Sequence, residues 1–110
     1  MYIIQLYESS DDCRKTPICF TTYQSNAINF CNPVNDMLCD VYTKWRDTYD
    51  WRWNEGFDSI PTEYIDDINK IIEYLNGYDI KYDFDKVSYM AMYGSKFIYE
   101  NIPPLGEVSE

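Results

Sequence analysis

The 110-residue sequence contains no histidine, four glycines and only nine lysine and arginine residues. Histidine is the most common general base and metal ligand in proteins, so its absence removes the usual catalytic and metal-binding chemistry. Nineteen aspartates and glutamates bring the formal net charge to -10. Nucleic-acid backbones and anionic membranes both attract basic surfaces, so we expect no direct binding to nucleic acid or to a membrane.

The sequence also lacks the short motifs that accompany common catalytic sites. No glycine stands in a G-x-G or G-K-[ST] setting, and neither G-x-S-x-G nor S-x-x-K occurs. No run approaches the roughly 18 apolar residues of a membrane span, and the first residues do not resemble a signal peptide. We therefore expect a cytoplasmic protein that is not an enzyme and holds no cofactor.

The four cysteines, Cys13, Cys19, Cys31 and Cys39, are separated by gaps that do not match the closely spaced pairs of zinc sites. We expect reduced and mostly buried thiols. Four thiolates gathered by the fold are the alternative.

Hydrophobic periodicity predicts one compact α+β domain over residues 1–110, with a flexible acidic tail at 103–110. Two helices are expected, each with proline in its first turn, and the remaining elements are expected to be strands. The order ββααβββ predicts a largely antiparallel sheet with both helices packed on one face. The predicted strands are 2–7, 18–23, 80–85, 87–93 and 96–100, and the predicted helices run from Asn32-Pro33 to 48–50 and from Ile60-Pro61 to Asn76-Gly77.

Residues 47–58 alternate between aromatic and charged side chains, without a clean period. Tryptophan and tyrosine often dominate binding interfaces, and the second predicted helix adds an acidic outer face. Trp51 and Trp53 are either exposed anchors or a cap on the core. The predicted partner-binding residues are Asp47, Asp50, Trp51, Trp53, Glu55, Asp58, Glu63, Asp66, Asp67 and Glu73.

Two alternatives of another class come from residues 80–85 and from the tyrosines. If 80–85 is a strand, Asp83 and Asp85 share a face with Lys81 and could hold Mg²⁺ in a metal-dependent enzyme. The same face also fits the solvated side of an amphipathic strand. The twelve tyrosines could instead line a pocket for a small ligand.

In composition, the acidic chain rich in Tyr, Asn, Ile and Asp resembles small phage-encoded inhibitors of bacterial defence, including anti-CRISPR and anti-restriction proteins and DNA mimics. It also resembles immunity proteins that neutralise a toxic nuclease. Both resemblances imply an inhibitor that blocks the basic nucleic-acid-binding surface of a protein, whether a nuclease or another partner. We expect the phage-type inhibitor, located in the host cytoplasm, with the immunity protein as the alternative. Target identity and oligomeric state are left open by the sequence.

Overall fold

The computed structural model describes residues 1–9, 12–48 and 60–102, and the predicted tail at 103–110 lies outside them. These ranges contain three α-helices and a three-stranded antiparallel sheet, so the predicted α+β class is confirmed. In chain order the elements are β1 (Tyr2–Glu8), β2 (Arg14–Thr21), α1 (Gln24–Trp45), a 3-10 turn (Arg46–Thr48), α2 (Thr62–Asn76), α3 (Phe84–Met92) and β3 (Lys96–Asn101).

Strand β1 is the centre of the sheet, and β2 and β3 pair with its two edges in the order β2-β1-β3. Side chains alternate along β1, so that Ile4, Leu6 and Glu8 are buried on the inner face of the sheet. Ile3, Gln5 and Tyr7 point to the outer face. Ile18 of β2 has no partner on β1 and forms a bulge between the pairs Ile4–Cys19 and Gln5–Pro17.

The three helices share one core with the inner face of the sheet. Helices α1 and α2 run antiparallel: Lys44 near the end of α1 bonds Glu63 at the start of α2, and Phe30 near the start of α1 contacts Tyr74 near the end of α2. The largest buried side chains of this core are Leu6, Phe30, Tyr64, Ile68, Ile71, Leu75, Met90 and Phe97. Within the described ranges, no helix combines the length and apolarity that crossing a membrane requires.

Helix α1 begins at Gln24, one turn after β2, and not at the predicted Asn32-Pro33 start. Pro33 lies inside the helix and has no N–H to donate to the carbonyl of Asn29, four residues earlier. The Tyr74 hydroxyl replaces that donor, lying 3.1 Å from the Asn29 oxygen and 2.7 Å from the Phe30 oxygen. Tyr74, 41 residues after Pro33, therefore supplies the hydrogen-bond donor that the proline lacks. Helix α1 continues through Pro33, although proline locally favours the start of a helix.

The predicted strands 80–85 and 87–93 are wrong. The predicted order ββααβββ and the predicted layer of two helices are therefore wrong as well. Residues 80–83 lie outside the sheet, and helix α3 follows. Asp83 caps this helix, because its Oδ1 accepts a hydrogen bond from the Lys86 backbone N–H at 2.8 Å. Gly94, with φ of 75°, ends the turn after α3 and leads into β3, so the predicted Gly94-Ser95 hairpin is wrong as well.

Candidate protein-binding face

The solvent side of the antiparallel pair α1–α2 carries most of the exposed carboxylates of the described helices. Each helix buries one stripe of side chains, so residues about half a turn away from the stripe face solvent. Because the two helices are neighbours in one layer, their solvent sides form one surface, which we call the acidic face. Its charged residues are Asp36, Asp40 and Lys44 of α1 and Glu63, Asp66, Asp67, Lys70 and Glu73 of α2.

Six carboxylates against two lysines leave the acidic face with four net negative charges. Four of the six, Asp36, Asp40, Asp66 and Glu73, are exposed and form no ion pair with any described residue. Asp36 and Asp40 are one helical turn apart on α1, and Glu63 and Asp66 are about one turn apart on α2. Since no described residue neutralises the charges of those four, we expect these carboxylates to be available to a basic partner.

Lys44 joins the two helices at one end of this face, where α1 ends and α2 begins. Its Nζ lies 2.6 Å from Glu63 Oε1 and 3.4 Å from Asp67 Oδ2. The hydrogen bond to Glu63 is the main cause that raises the pKa of Lys44 above its usual value. Trp45 Nε1 also donates to Asp67 Oδ2, at 3.0 Å. The Asp67 carboxylate therefore has two polar neighbours on α1, and these bonds join α2 to α1.

A groove of about 320 Å³ follows the seam between the two helices. Met37 and Val41 form its apolar lining, and Asp40, Lys44, Asp67 and Lys70 form its charged rim. Its walls carry both signs of charge, so it offers paired contacts to a polar protein surface rather than an enclosed site for a small apolar ligand.

The ten residues predicted for partner binding fall into three groups. Glu63, Asp66 and Glu73 are exposed on the acidic face, and Asp47 is exposed at its end, 3.8 Å from Arg46. Asp67 lies at the inner edge of the acidic face, since its side chain is only 20% exposed and is bonded to Lys44 and Trp45. The remaining predictions lie outside the described residues: Asp50, Trp51, Trp53, Glu55 and Asp58.

Asp36 and Asp40 are residues of this face that the sequence reasoning missed. With α1 predicted to start at Asn32, both aspartates lay near the positive end of the helix dipole. Stabilisation of the helix then explained why acids stand at these positions. The observed start at Gln24 moves them to the middle of α1, where that explanation does not apply. Their spacing of four residues on the polar side of a predicted helix was the signal that could have found them.

The possible Mg²⁺ site at Asp83 and Asp85 does not form, because both residues belong to the start of helix α3 rather than to one face of a strand. Asp83 is occupied by its capping bond to Lys86, and Lys81 pairs instead with Asp79 at 3.8 Å. Across the described ranges, no group of three or more Cys, Asp or Glu side chains is arranged to hold a metal ion.

The cysteines are free thiols, but the expectation that most are buried is wrong. Cys31 is buried on α1, and desolvation raises the pKa of its thiol to about 11. Cys13, Cys19 and Cys39 are exposed. Burial therefore protects only one of the four thiols from solvent, and the other three are accessible at the surface.

No protein-family model, curated protein or solved structure matches this chain. Function is therefore inferred from its charge and geometry.

Proposed function

We propose that this protein is an inhibitor that binds, through its acidic face, the basic nucleic-acid-binding surface of another protein. The observation that carries the proposal is the set of four exposed carboxylates on two neighbouring helices that form no ion pair with a described residue. Asp36 and Asp40, one helical turn apart on α1, repel each other, and a basic partner relieves that repulsion. Basic surfaces able to receive such a face belong mostly to proteins that bind nucleic acid.

The distribution of charge over the molecule supports binding through this face. Lys15 and Lys96 lie on the outer side of the sheet, on the opposite side of the molecule from α1 and α2. Among the described residues, the helix side is therefore acidic, whereas the outer side of the sheet carries two lysines and one acid, Glu100. A charge distribution of this kind orients the protein as it approaches a basic target, and oriented approach raises the association rate.

Within this function we propose a phage-type inhibitor of bacterial defence, such as an anti-CRISPR or anti-restriction protein or a DNA mimic, acting in the host cytoplasm. The support is the acidic composition together with the acidic face. An immunity protein that neutralises a toxic nuclease would use the same charges, and the identity of the target separates the two.

The target class is tested by displacement of a labelled DNA duplex. Purified CRISPR effectors, restriction endonucleases and toxic nucleases are each saturated with fluorescent duplex, and the anisotropy is followed as the protein is added. Release of duplex from a defence enzyme supports the phage-type inhibitor, whereas release from a toxic nuclease alone supports the immunity protein. Duplex that stays bound across the panel contradicts the proposed function.

The face itself is tested with two variants that each remove two negative charges. Asp66→Asn with Glu73→Gln should slow association with the displaced target by about 3- to 10-fold, because these carboxylates steer the encounter. The matched control, Asp12→Asn with Asp79→Asn, changes the net charge equally in two exposed turns outside the face, at positions of positive φ that asparagine tolerates. Equal association rates for the two variants would show that net charge alone, and not the face, determines binding.

Asp67 is unsuitable for that test despite its place in the predicted binding set. Asp67→Asn weakens bonds to Lys44 and Trp45, so a loss of binding could arise from a shift between α1 and α2. The neighbouring Asp66 is exposed, so its substitution tests binding to the target without disturbing the contact between α1 and α2.

A further inference from the structure

One row of side chains on α2 follows the seam with α1, and Lys70 is the member of this row that makes no bond to α1. Three or four residues separate neighbouring members of the row, which are Glu63, Asp67, Lys70 and Tyr74. Glu63 and Asp67 bond Lys44, and Tyr74 donates to the Phe30 carbonyl. Lys70 is exposed and forms no ion pair with any described residue. Its charge is therefore not used to hold the two helices together.

Asp40 of α1 is the acid that shares the groove with Lys70. The two side chains line the same groove as Met37 and Val41, yet they do not form an ion pair with each other. The other acid of the lining, Asp67, is already bonded to α1. Among the described residues, the groove thus presents one acid and one base without counter-ions, on opposite helices and beside an apolar lining.

A uniformly basic partner surface fits only half of this groove. A cation that enters it is attracted by Asp40 but repelled by Lys70. A charge that is buried at an interface without a compensating partner is unfavourable. The complementary surface therefore carries a base opposite Asp40 and an acid opposite Lys70.

We propose that Lys70 binds a carboxylate in the active site of the target, and that the target cleaves nucleic acid with a divalent cation. This inference rests on the proposed function, in which the target has a basic nucleic-acid-binding surface. In enzymes of this class, carboxylates hold the metal ion within that surface. The Lys70 ammonium would take the place of the cation, while Asp40 pairs with a basic side chain that otherwise binds phosphate.

The chemistry of a lysine side chain suits this role. Its ammonium is a compact charge on a flexible stem of four carbons, so it can reach a recessed group. Apolar surface can cover the stem while the charge reaches its partner, and Met37 and Val41 supply such surface in the groove.

Lys70→Gln tests the role of this charge through the sign of its effect. If the acidic face acted only by its net charge, removing a lysine would strengthen binding to a basic target. We expect the opposite, a weakening by about tenfold or more, because the target carboxylate loses its counter-ion. Affinity is measured by surface plasmon resonance against the enzyme whose duplex this protein releases in the displacement panel.

Lys81→Gln is the matched control for Lys70→Gln. It changes the net charge equally, and Lys81 is an exposed residue outside the groove, paired only with the exposed Asp79 among the described residues. We expect it to leave the affinity unchanged. Urea denaturation should give the same stability for both variants, whereas a larger loss for Lys70→Gln would show that Lys70 acts within the fold and overturn the proposal.

Competition with Mg²⁺ tests the site on the target. Replacing NaCl by about 10 mM MgCl₂ at constant ionic strength should weaken binding of the wild type by about tenfold, because the metal and Lys70 exclude each other. Binding of Lys70→Gln should change much less. Any binding of Mg²⁺ to the carboxylates of the acidic face affects the two proteins alike and does not contribute to the difference.

The outcomes separate this inference from the proposed function. If no enzyme of the panel releases its duplex, the proposed function is wrong and this inference falls with it. If an enzyme is displaced but cleaves without a divalent cation, only the inference is overturned. The same holds if Lys70→Gln binds as tightly as the wild type, or if Mg²⁺ weakens binding of both proteins equally.

Discussion

Glu8, near the end of β1, is a charged side chain in the interior of the protein, with 2% of its side chain exposed. Lys86 Nζ lies 3.1 Å from its Oε2 and Arg14 Nη2 lies 3.4 Å from its Oε1. Burial raises the pKa of the nearby Tyr82, and the Glu8 charge raises it further. A buried carboxylate is tolerated only when cations and donors compensate for its lost hydration, so Glu8 depends on these two cations.

Removing Lys86 should therefore destabilise the fold more than removing an exposed lysine does. We expect Lys86→Met to lower the free energy of unfolding by about 1–3 kcal/mol, since Arg14 still compensates part of the buried charge. The control is Lys81→Met, because Lys81 and its partner Asp79 are both largely exposed and their pair contributes less than about 1 kcal/mol. Urea denaturation measures both values.

A second substitution shows whether the loss comes from the uncompensated charge. Glu8→Gln in the Lys86→Met background should recover part of the lost stability, because it removes the carboxylate that lacks its cation. If Lys86→Met lowers the free energy of unfolding no more than Lys81→Met does, the buried charge of Glu8 is not compensated by Lys86.

At the scale of elements, α1 and α2 are joined by a hydrogen bond that compensates for a proline. Tyr74 of α2 donates to the carbonyls of Asn29 and Phe30, next to Pro33 of α1. Tyr74→Phe should cost about 1 kcal/mol of stability, the usual net contribution of one hydrogen bond. In a Pro33→Ala background the same substitution should cost less, because the restored N–H bonds the Asn29 carbonyl and only the contact with the Phe30 carbonyl is lost. Denaturation of the four proteins of this double-mutant cycle measures the coupling.

The pH dependence of stability gives a second readout for the same bond. Burial is the main cause that raises the pKa of Tyr74 above its ordinary value, with the Tyr78 hydroxyl adding to the shift. Since the unfolded phenol has a pKa of about 10, the stabilisation is full below about pH 10 and is lost as the pH rises toward the folded pKa. Tyr74→Phe should accordingly lose less stability than the wild type above pH 10. Parallel losses in the two proteins would contradict a role for the Tyr74 phenol.

At the scale of the whole molecule, the excess of acid governs which partners can approach. Thirteen acidic and eight basic residues lie in the described ranges, and the acidic face carries six of the acids but only two of the bases, Lys44 and Lys70. We expect no mobility shift of duplex or single-stranded DNA at physiological salt. The association rate with the basic target should fall as salt rises from about 50 to 500 mM, because screening shortens the range of steering. A DNA mobility shift by this protein alone would contradict the proposed mode of action.

The sequence by itself determined those features that depend on short-range patterns. The apolar and β-branched residues of β1 and the i, i+3, i+4 stripe of α2 were sufficient to predict both elements and the α+β class. The acidic outer positions Asp66 and Glu73 followed from the same stripe, because a helix with one buried side exposes the other. Net charge needs no structure at all, and it is the basis of the prediction that this protein does not bind nucleic acid directly.

Only the tertiary structure decided the features in which local signals conflict or a partner is distant in sequence. Pro33 favours a helix start locally, but Tyr74 from α2 supplies the missing donor and α1 continues through it. The alternation at 80–85 favours a strand, but the cap at Asp83 and the burial of Val87 and Met90 against the core produce a helix. Asp66 and Asp67 are adjacent residues of the same type. The packing of α2 against α1 leaves Asp66 exposed and brings Asp67 into hydrogen-bond contact with Lys44 and Trp45. Local propensities are small compared with burial and hydrogen bonding, so long-range contacts determine the outcome wherever the local pattern is ambiguous.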